Sequence, residues 1–418
     1  IGSRGALRGA VAILPILLAL AMPLPPPLQA TTERPLKSVV AALEPAVGTA
    51  GDVTFVVGGD NRPTAKGAPM PRVVKTIFDE IALVRPAFVL WSGDTVYGYC
   101  DTRAELDGEY DAFLDLAKRG GAPLFNAPGN HEIHSGQHCP PSIPEAELCG
   151  PPCSEQVFEK SFGRLYGSFD YAGAHFISLD TDVPGTPDEI SGDQLAWLKQ
   201  DLEANKGARA IFIFCHTEFY SSPKIDPPQG QSHPAIFDRI ALHELFRRYP
   251  VRAVFAGHEH LYWREPAENH DGIEYFVAGG AGAPFYASPD RGGFSHYVLV
   301  RLTGNRASYD VIEPGHLYVE PPLAGLSGPP GKDGEARFWI VNSNEAGPLV
   351  LDGVETEVPA TLGACNDLQP TSDFKGRDGK PVTLTVTSCA PGKSVHKLRI
   401  RAEGVPAGAS VPVVVRRK

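Results

Sequence analysis

Between residues 53 and 312, short apolar runs alternate with longer segments whose apolar residues recur every three or four positions. The short runs read as strands buried on both faces and the longer ones as helices packed on one face, so this region predicts an α/β fold. Strands are expected at 53–57, 88–91, 124–127, 175–179, 210–215, 251–256, 275–278 and 297–302. Val73, Val74, Ile77, Phe78 and Ile81 make one helical face, and Leu195, Leu198 and Leu202 make another. Ser191 and Gln194 stand at the spacing of a capping box at the start of the second helix.

After Glu313 the pattern changes. A Pro/Gly-rich stretch leads into about eighty residues without helical period, where runs at 338–341, 382–387, 397–401 and 411–415 predict a small all-β sandwich. The expected organisation is therefore an α/β domain at 51–315, a linker at 316–335 and an all-β accessory domain at 336–418. The amino-terminal residues 1–30 read as a secretory signal peptide: Arg4 and Arg8 precede an apolar run from 10 to 22, and Leu28-Gln29-Ala30 closes it. Pro15 interrupts that run, and its roughly 13 apolar residues fall short of the roughly 20 a spanning helix needs, so no membrane span is expected after cleavage.

Composition narrows the class. The 418 residues carry 38 Lys+Arg against 49 Asp+Glu, a formal charge of -11 that argues against a nucleic-acid-coating protein. Apolar residues at 42% and a Gly-plus-Pro share of about a fifth fit a globular chain. A secreted or periplasmic location makes the seven cysteines potential disulfide partners. Cys100, Cys139, Cys149 and Cys153 allow three connectivities, Cys365 and Cys389 form one expected pair, and Cys215, in an apolar run, reads as a buried thiol.

Five polar blocks fall at the ends of the apolar runs: Gly59-Asp60, Gly93-Asp94, Gly129-Asn130-His131-Glu132, His216, and Gly257-His258-Glu259-His260. In an open α/β sheet the crevice beyond the carboxyl ends of the strands is where ligands bind. Two carboxylates, an amide oxygen and three imidazoles meeting there would form an O/N donor set suited to divalent or trivalent transition metals.

The order of these blocks resembles the calcineurin-like metallophosphoesterases, and 166–181, 194–202 and the Gly279–Pro284 run GGAGAP resemble the family as well. The resemblance implies a four-layer αββα sandwich with a dinuclear metal site. It makes Asp94 the bridge, Asp60 and His260 ligands of the first metal, and Asn130, His216 and His258 ligands of the second. Motif one departs from the family pattern: Asp60-Asn61-Arg62 replaces Asp-x-His and leaves the first metal one protein ligand short. Gly93-Asp94-Thr95-Val96-Tyr97 is similar to the GDxxY of the purple acid phosphatase branch, which would make Tyr97 the missing ligand. The implied cofactors are two metal ions, iron with zinc, manganese or a second iron.

The implied activity is phosphoric ester hydrolysis on a small phosphate-ester substrate, a phosphomonoesterase first, with a phosphodiesterase or an inactive binding protein on the same fold as alternatives. Two cations would lower the pKa of a bound water and clamp the phosphoryl oxygens. His131 is the expected acid for the leaving group, Glu132 the residue that orients it, and Arg62 a partner for a phosphate oxygen. Loops 139–156 and 223–234 are expected to shape substrate choice, with His134, His138 and His233 at the entrance or on the surface. The sequence names no partner for the carboxyl-terminal region.

Overall fold

The computed structural model describes residues 51–134, 139, 142–223, 235–265 and 267–314, and beyond these the backbone of strands between Leu317 and Arg417. The expected signal peptide, His138, His233, Cys365 and Cys389 lie outside the described residues.

In chain order the elements are β1 (Val53–Gly58), α1 (Arg72–Val84), β2 (Val89–Trp91), α2 (Arg103–Ala117), β3 (Leu124–Asn126), α3 (Asn130–Ile133), α4 (Cys153–Phe162), β4 (Gly167–Tyr171) and β5 (Ala174–Ser178). There follow α5 (Gly192–Ala204), β6 (Ile211–Phe214), α6 (Arg239–Phe246), β7 (Val251–Ala256), β8 (Tyr262–Glu265), β9 (Glu274–Ala278), β10 (Tyr297–Thr303) and β11 (Arg306–Ile312). They form two mixed sheets, one ordered β11-β10-β1-β2-β3 and the other β4-β5-β6-β7-β9-β8. Strands β1-β2-β3, with β3 at the sheet edge, and β5-β6-β7-β9 run parallel, and β10, β11, β4 and β8 pair antiparallel.

Side-chain alternation explains the layering. In β6, Phe212 and Phe214 enter the cluster between the sheets, while Ile211 and Ile213 face Leu198 and Leu202 of α5 and Leu242, Leu245 and Phe246 of α6. On the first sheet Phe55 and Val57 point inward to the same central cluster. Trp91 points outward, stacking on Phe78 of α1 at 5.2 Å and lying 5.9 Å from Phe113 of α2. The result is the expected four-layer α/β sandwich, with a core of interlocked phenylalanines in which Phe55 meets Phe176 and Phe212 edge-on at 5.3 and 5.1 Å. Edge-to-face pairs of this kind add about 0.5–1.5 kcal/mol each beyond area burial.

All eight strands expected in this region are present, with ends shifted by one residue or less. Strands β4, β8 and β11 were not among them. Each lies at the outside of its sheet, and β4 (GSFDY) and β11 (RASYDVI) carry too many polar residues for an apolar run. Ser191 is the N-cap of α5, but its side chain makes no capping bond. Gln194 instead pairs with the backbone of Asp180, accepting from its N–H and donating to its carbonyl at 2.8 Å each, so the expected capping box is corrected to a tether between α5 and the end of β5.

Beyond β11 the backbone runs through β12 (Leu317–Glu320), β13 (Leu323–Gly325), β14 (Gly334–Asn342), β15 (Leu351–Glu357), β16 (Leu368–Pro370), β17 (Val382–Val386), β18 (Gly392–Ala402) and β19 (Ser410–Arg417). These form two four-stranded sheets, β12-β14-β17-β16 and β13-β19-β18-β15. The stretch 316–335, expected as a linker, contains β12, β13 and the start of β14.

Candidate metal centre

Every one of the five polar blocks sits just past the carboxyl end of a strand. Asp60 follows β1, Asp94 follows β2, Asn130 follows β3, His216 follows β6, and His258 and His260 follow β7. The crevice is therefore lined from both sheets. Asp60, Asp94 and His258 have φ of 59°, 52° and 67°, left-handed values that cost a non-glycine residue of order 1 kcal/mol or more and tend to cluster at functional sites. Backbone bonds hold these turns: the N–H of Asp60 donates to the Gly93 carbonyl at 3.0 Å, and that of His258 to Asp60 Oδ1 at 2.9 Å. The approach is close enough that a Cβ on Gly129 would lie 2.7 Å from Asp94 Oδ1, and one on Gly257 would strike Asp60 Oδ2.

The six expected donors separate into two adjoining sets. Oxygen atoms of Asp60 and Asp94 and a ring nitrogen of His260 all lie within 4.8 Å of one another, and all three residues are buried. His260 Nδ1 donates to the Pro284 carbonyl at 2.7 Å, which leaves the Nε2 lone pair facing Asp60 Oδ1 at 3.5 Å. Asp60 Oδ2 is buried with no hydrogen-bond partner.

In the second set His216 Nδ1 donates to the Ser92 carbonyl at 2.7 Å, so Nε2 again presents a lone pair. That nitrogen lies 2.9 Å from Asn130 Oδ1, 3.1 Å from His258 Nδ1 and 3.4 Å from Asp94 Oδ1. His258 Nδ1 is also 3.2 Å from Asn130 Oδ1. Lone pairs converging at these distances repel unless a proton or a cation lies among them.

Electrostatics lead to the same conclusion. Burial, then the charge of Asp94, pushes the Asp60 carboxyl well above its usual value. Burial likewise lifts Asp94 to about 7, although Arg62 pulls it back. Burial lowers His216, keeping its ring neutral and able to bind metal. Two desolvated carboxylates, one with an oxygen lacking any partner, beside a lowered His216 imidazole and the rings of His258 and His260, form a donor set that fits two cations.

Arg62 is mostly buried, its Nε 3.6 Å from Asp94 Oδ2 and its side chain 14% exposed. His131 is buried, its Nδ1 donating to the Tyr97 carbonyl and its Nε2 3.9 Å from Asp94 Oδ2. Burial, then the charge of Arg62, drives His131 well below the usual imidazole value. Tyr97 is half-buried, and its contacts run through its backbone and its ring: its N–H donates to Glu109 Oε2 at 2.6 Å, and its ring lies 5.9 Å from that of His131.

Glu132 does not orient His131. It is fully buried, and its carboxylate accepts from the N–H groups of Asp94, Gly129 and Thr95 at 2.8, 2.9 and 2.6 Å and from Thr95 Oγ1 at 2.7 Å. It clamps the loop that carries Asp94. His134 is also buried, its Nε2 3.8 Å from Asp182 Oδ1, rather than on the surface. Two further tyrosines went unread in the sequence. Tyr99 accepts from Asn130 Nδ2 at 2.7 Å and stacks on His131 at 4.0 Å. Tyr286 stacks on His260 at 4.2 Å and accepts from Arg62. Both stand outside the motif blocks.

The family model of the calcineurin-like phosphoesterases matches residues 70–262, the stretch that carries the donor residues from Asp94 to His260. Purple acid phosphatase 21 of Arabidopsis thaliana is 32% identical over 171 residues, 40% of this chain and 36% of that protein. The Fe(3+)-Zn(2+) purple acid phosphatase 12 of the same plant is 26% identical over 251 residues, 56% of this chain and 50% of that one. A purple acid phosphatase from yellow lupin (Lupinus luteus) seeds superposes with a TM-score of 0.47 at 16% identity, covering 71% of this chain and 52% of that one. The chain spans between a third and a half of the length of these curated relatives. Among the described residues no helix is long and apolar enough to cross a membrane.

Proposed function

We propose that this chain is a secreted dinuclear-metal phosphoric ester hydrolase, acting first as a phosphomonoesterase. The observation that carries the reading is the pair of donor sets sharing Asp94, one with a buried carboxylate oxygen that has no partner. Asp60, Asp94 and His260 would hold one cation, and Asp94, Asn130, His216 and His258 the other. Such ions supply charge to the phosphoryl oxygens and acidify water. Arg62, beside Asp94 and anchored on Tyr286, would pair with a phosphate oxygen. His131 would hold the leaving-group proton on Nε2, since its Nδ1 is committed to the Tyr97 carbonyl. Burial and the charge of Arg62 lower the His131 imidazole, and the negative charge of a bound phosphate ester would raise its proton affinity.

Secretion is supported by the signal-like amino terminus and by two disulfides, Cys100–Cys139 and Cys149–Cys153, since such bonds persist outside the reducing cytoplasm. Cys215 is buried and unpaired. The proposed organisation keeps the catalytic region at 51–315 and an all-β accessory region at its carboxyl side.

A phosphatase assay with an aryl phosphate tests the activity, using metal-stripped protein and Asp94→Asn as controls. Activity unchanged in both controls overturns the reading, and comparison with a bis-aryl phosphate separates a monoesterase from a diesterase. Tyr97 is proposed as the phenolate of the first cation, with iron(III) there and zinc, manganese or iron at the second position. Iron-loaded protein should then absorb in the visible, and Tyr97→Phe should bleach it. Bound iron with an unchanged spectrum in Tyr97→Phe removes Tyr97 from the ligand set.

A further inference from the structure

Asn130 poses a problem that its neighbours in the sequence do not solve. An amide carries an oxygen and an NH2 of nearly the same size, and only the oxygen can face a cation. Turned the other way, Asn130 would aim N–H donors at the second cation position and lose a ligand. Among the described residues, Tyr99 meets Asn130 Nδ2, its hydroxyl accepting from it at 2.7 Å. The same ring stacks on His131 at 4.0 Å and 28°.

Tyr99 is itself held firmly. The next residue, Cys100, is joined to Cys139, and its carbonyl accepts from Lys66 Nζ at 2.5 Å. On the other side, Glu109 Oε2 accepts from the N–H groups of Tyr97 and Gly98 at 2.6 and 3.3 Å.

Building on the two-cation reading, we propose that Tyr99 is a positioning residue for the second cation: its hydroxyl fixes the Asn130 amide so that Oδ1 faces His216 and His258. The phenol thus decides which end of Asn130 meets the metal, and it touches neither metal nor substrate. The Tyr99→Phe variant removes the oxygen and keeps the ring on His131. Losing a partner of this kind weakens metal binding by about 10–100-fold.

The test is calorimetric titration of manganese(II) alone into the metal-stripped, full-length protein. Wild type should take up two equivalents; Tyr99→Phe should keep the first at its original affinity and bind the second at least about ten-fold more weakly. An Asn130→Asp background supplies the control, because a carboxylate presents an oxygen in either orientation. There, adding Tyr99→Phe should change the second affinity by less than about two-fold, whereas a merely structural tyrosine would produce the same loss in both backgrounds. Identical second affinities for wild type and Tyr99→Phe, or equal losses in both backgrounds, overturn the role of Tyr99 and leave the two-cation reading standing. A wild type that binds a single equivalent overturns that reading, and the proposal with it. If Tyr99→Phe fails to fold, the same comparison with Tyr99→Leu, which also removes the acceptor for Nδ2, decides between the same outcomes.

Discussion

Glu132 illustrates how much a single buried carboxylate can organise. Its two oxygens accept four hydrogen bonds, three from backbone N–H groups, and these fix Asp94 in its left-handed conformation. Glutamine has the same shape, but its NH2 would replace one acceptor and point a donor at other donors. Leaving buried N–H groups unpaired costs about 1–3 kcal/mol. The variant Glu132→Gln should therefore lower unfolding stability by that amount in denaturant melts of metal-free protein, and weaken metal uptake through a less constrained Asp94. Unchanged stability would mean that the loop is held by other contacts. The residue was visible in the sequence as part of the Gly-Asn-His-Glu block, but its role was not, because two of its partners, Asp94 and Thr95, lie 38 and 37 positions away. Tyr99 escaped notice for the same reason, being 31 positions from Asn130.

Among the elements, the inner strands were legible because both faces are buried, so each reads as a continuous apolar run. Of the edge strands, β3 was legible as a short apolar run, whereas β4, which mixes Ser, Asp and Tyr, and β11, which carries Arg, Ser and Asp, were not. One edge contact has a clear pH signature. His175 of β5 bridges Asp170 of β4 and Asp201 of α5, with Nδ1 and Nε2 each 2.7 Å from a carboxylate oxygen. Burial alone would lower this imidazole, yet the hydrogen bonds it donates to Asp201 and Asp170 raise it overall above 6.5. A proton held more tightly in the folded state stabilises fully below the unfolded value near 6.5, and that stabilisation fades as pH climbs through the raised folded value. Asp170 is 72% exposed and adds little; Asp201, 13% exposed, supplies most of the effect. The melting-temperature gap between wild type and His175→Gln should accordingly be widest below about pH 6.5 and narrow on the alkaline side. A gap that is constant or grows with pH contradicts a charged bridge.

For the whole molecule, the candidate centre joins what the fold keeps apart. Asp60, Asp94 and Asn130 come from one sheet, and His216, His258 and His260 from the other, so bound cations would cross-link the two halves of the sandwich. The strand ends were readable from the ordered motif blocks; that Asp94 lies within 4.8 Å of Asp60 and His260 donors and 3.4 Å from His216 Nε2 is a product of tertiary packing. Without cations, the cluster stores unfavourable energy: burial and mutual repulsion raise Asp60, and burial raises Asp94 to about 7. Folded carboxyls raised above their unfolded values hold extra protons, so stability falls as pH rises through the unfolded values toward the folded ones. Cations at 100 times their dissociation constant would add about 2.7 kcal/mol per site, or roughly 5–10 °C in melting temperature. Chelation at pH 8 should therefore lower the melting temperature of wild type by several degrees. Under the same conditions Asp94→Asn, which removes one buried charge, should melt no lower than chelated wild type and should gain much less from added metal. A chelator-insensitive wild type, or a variant that gains as much from metal as wild type does, would show that Asp94 does not link the two sheets through bound ions.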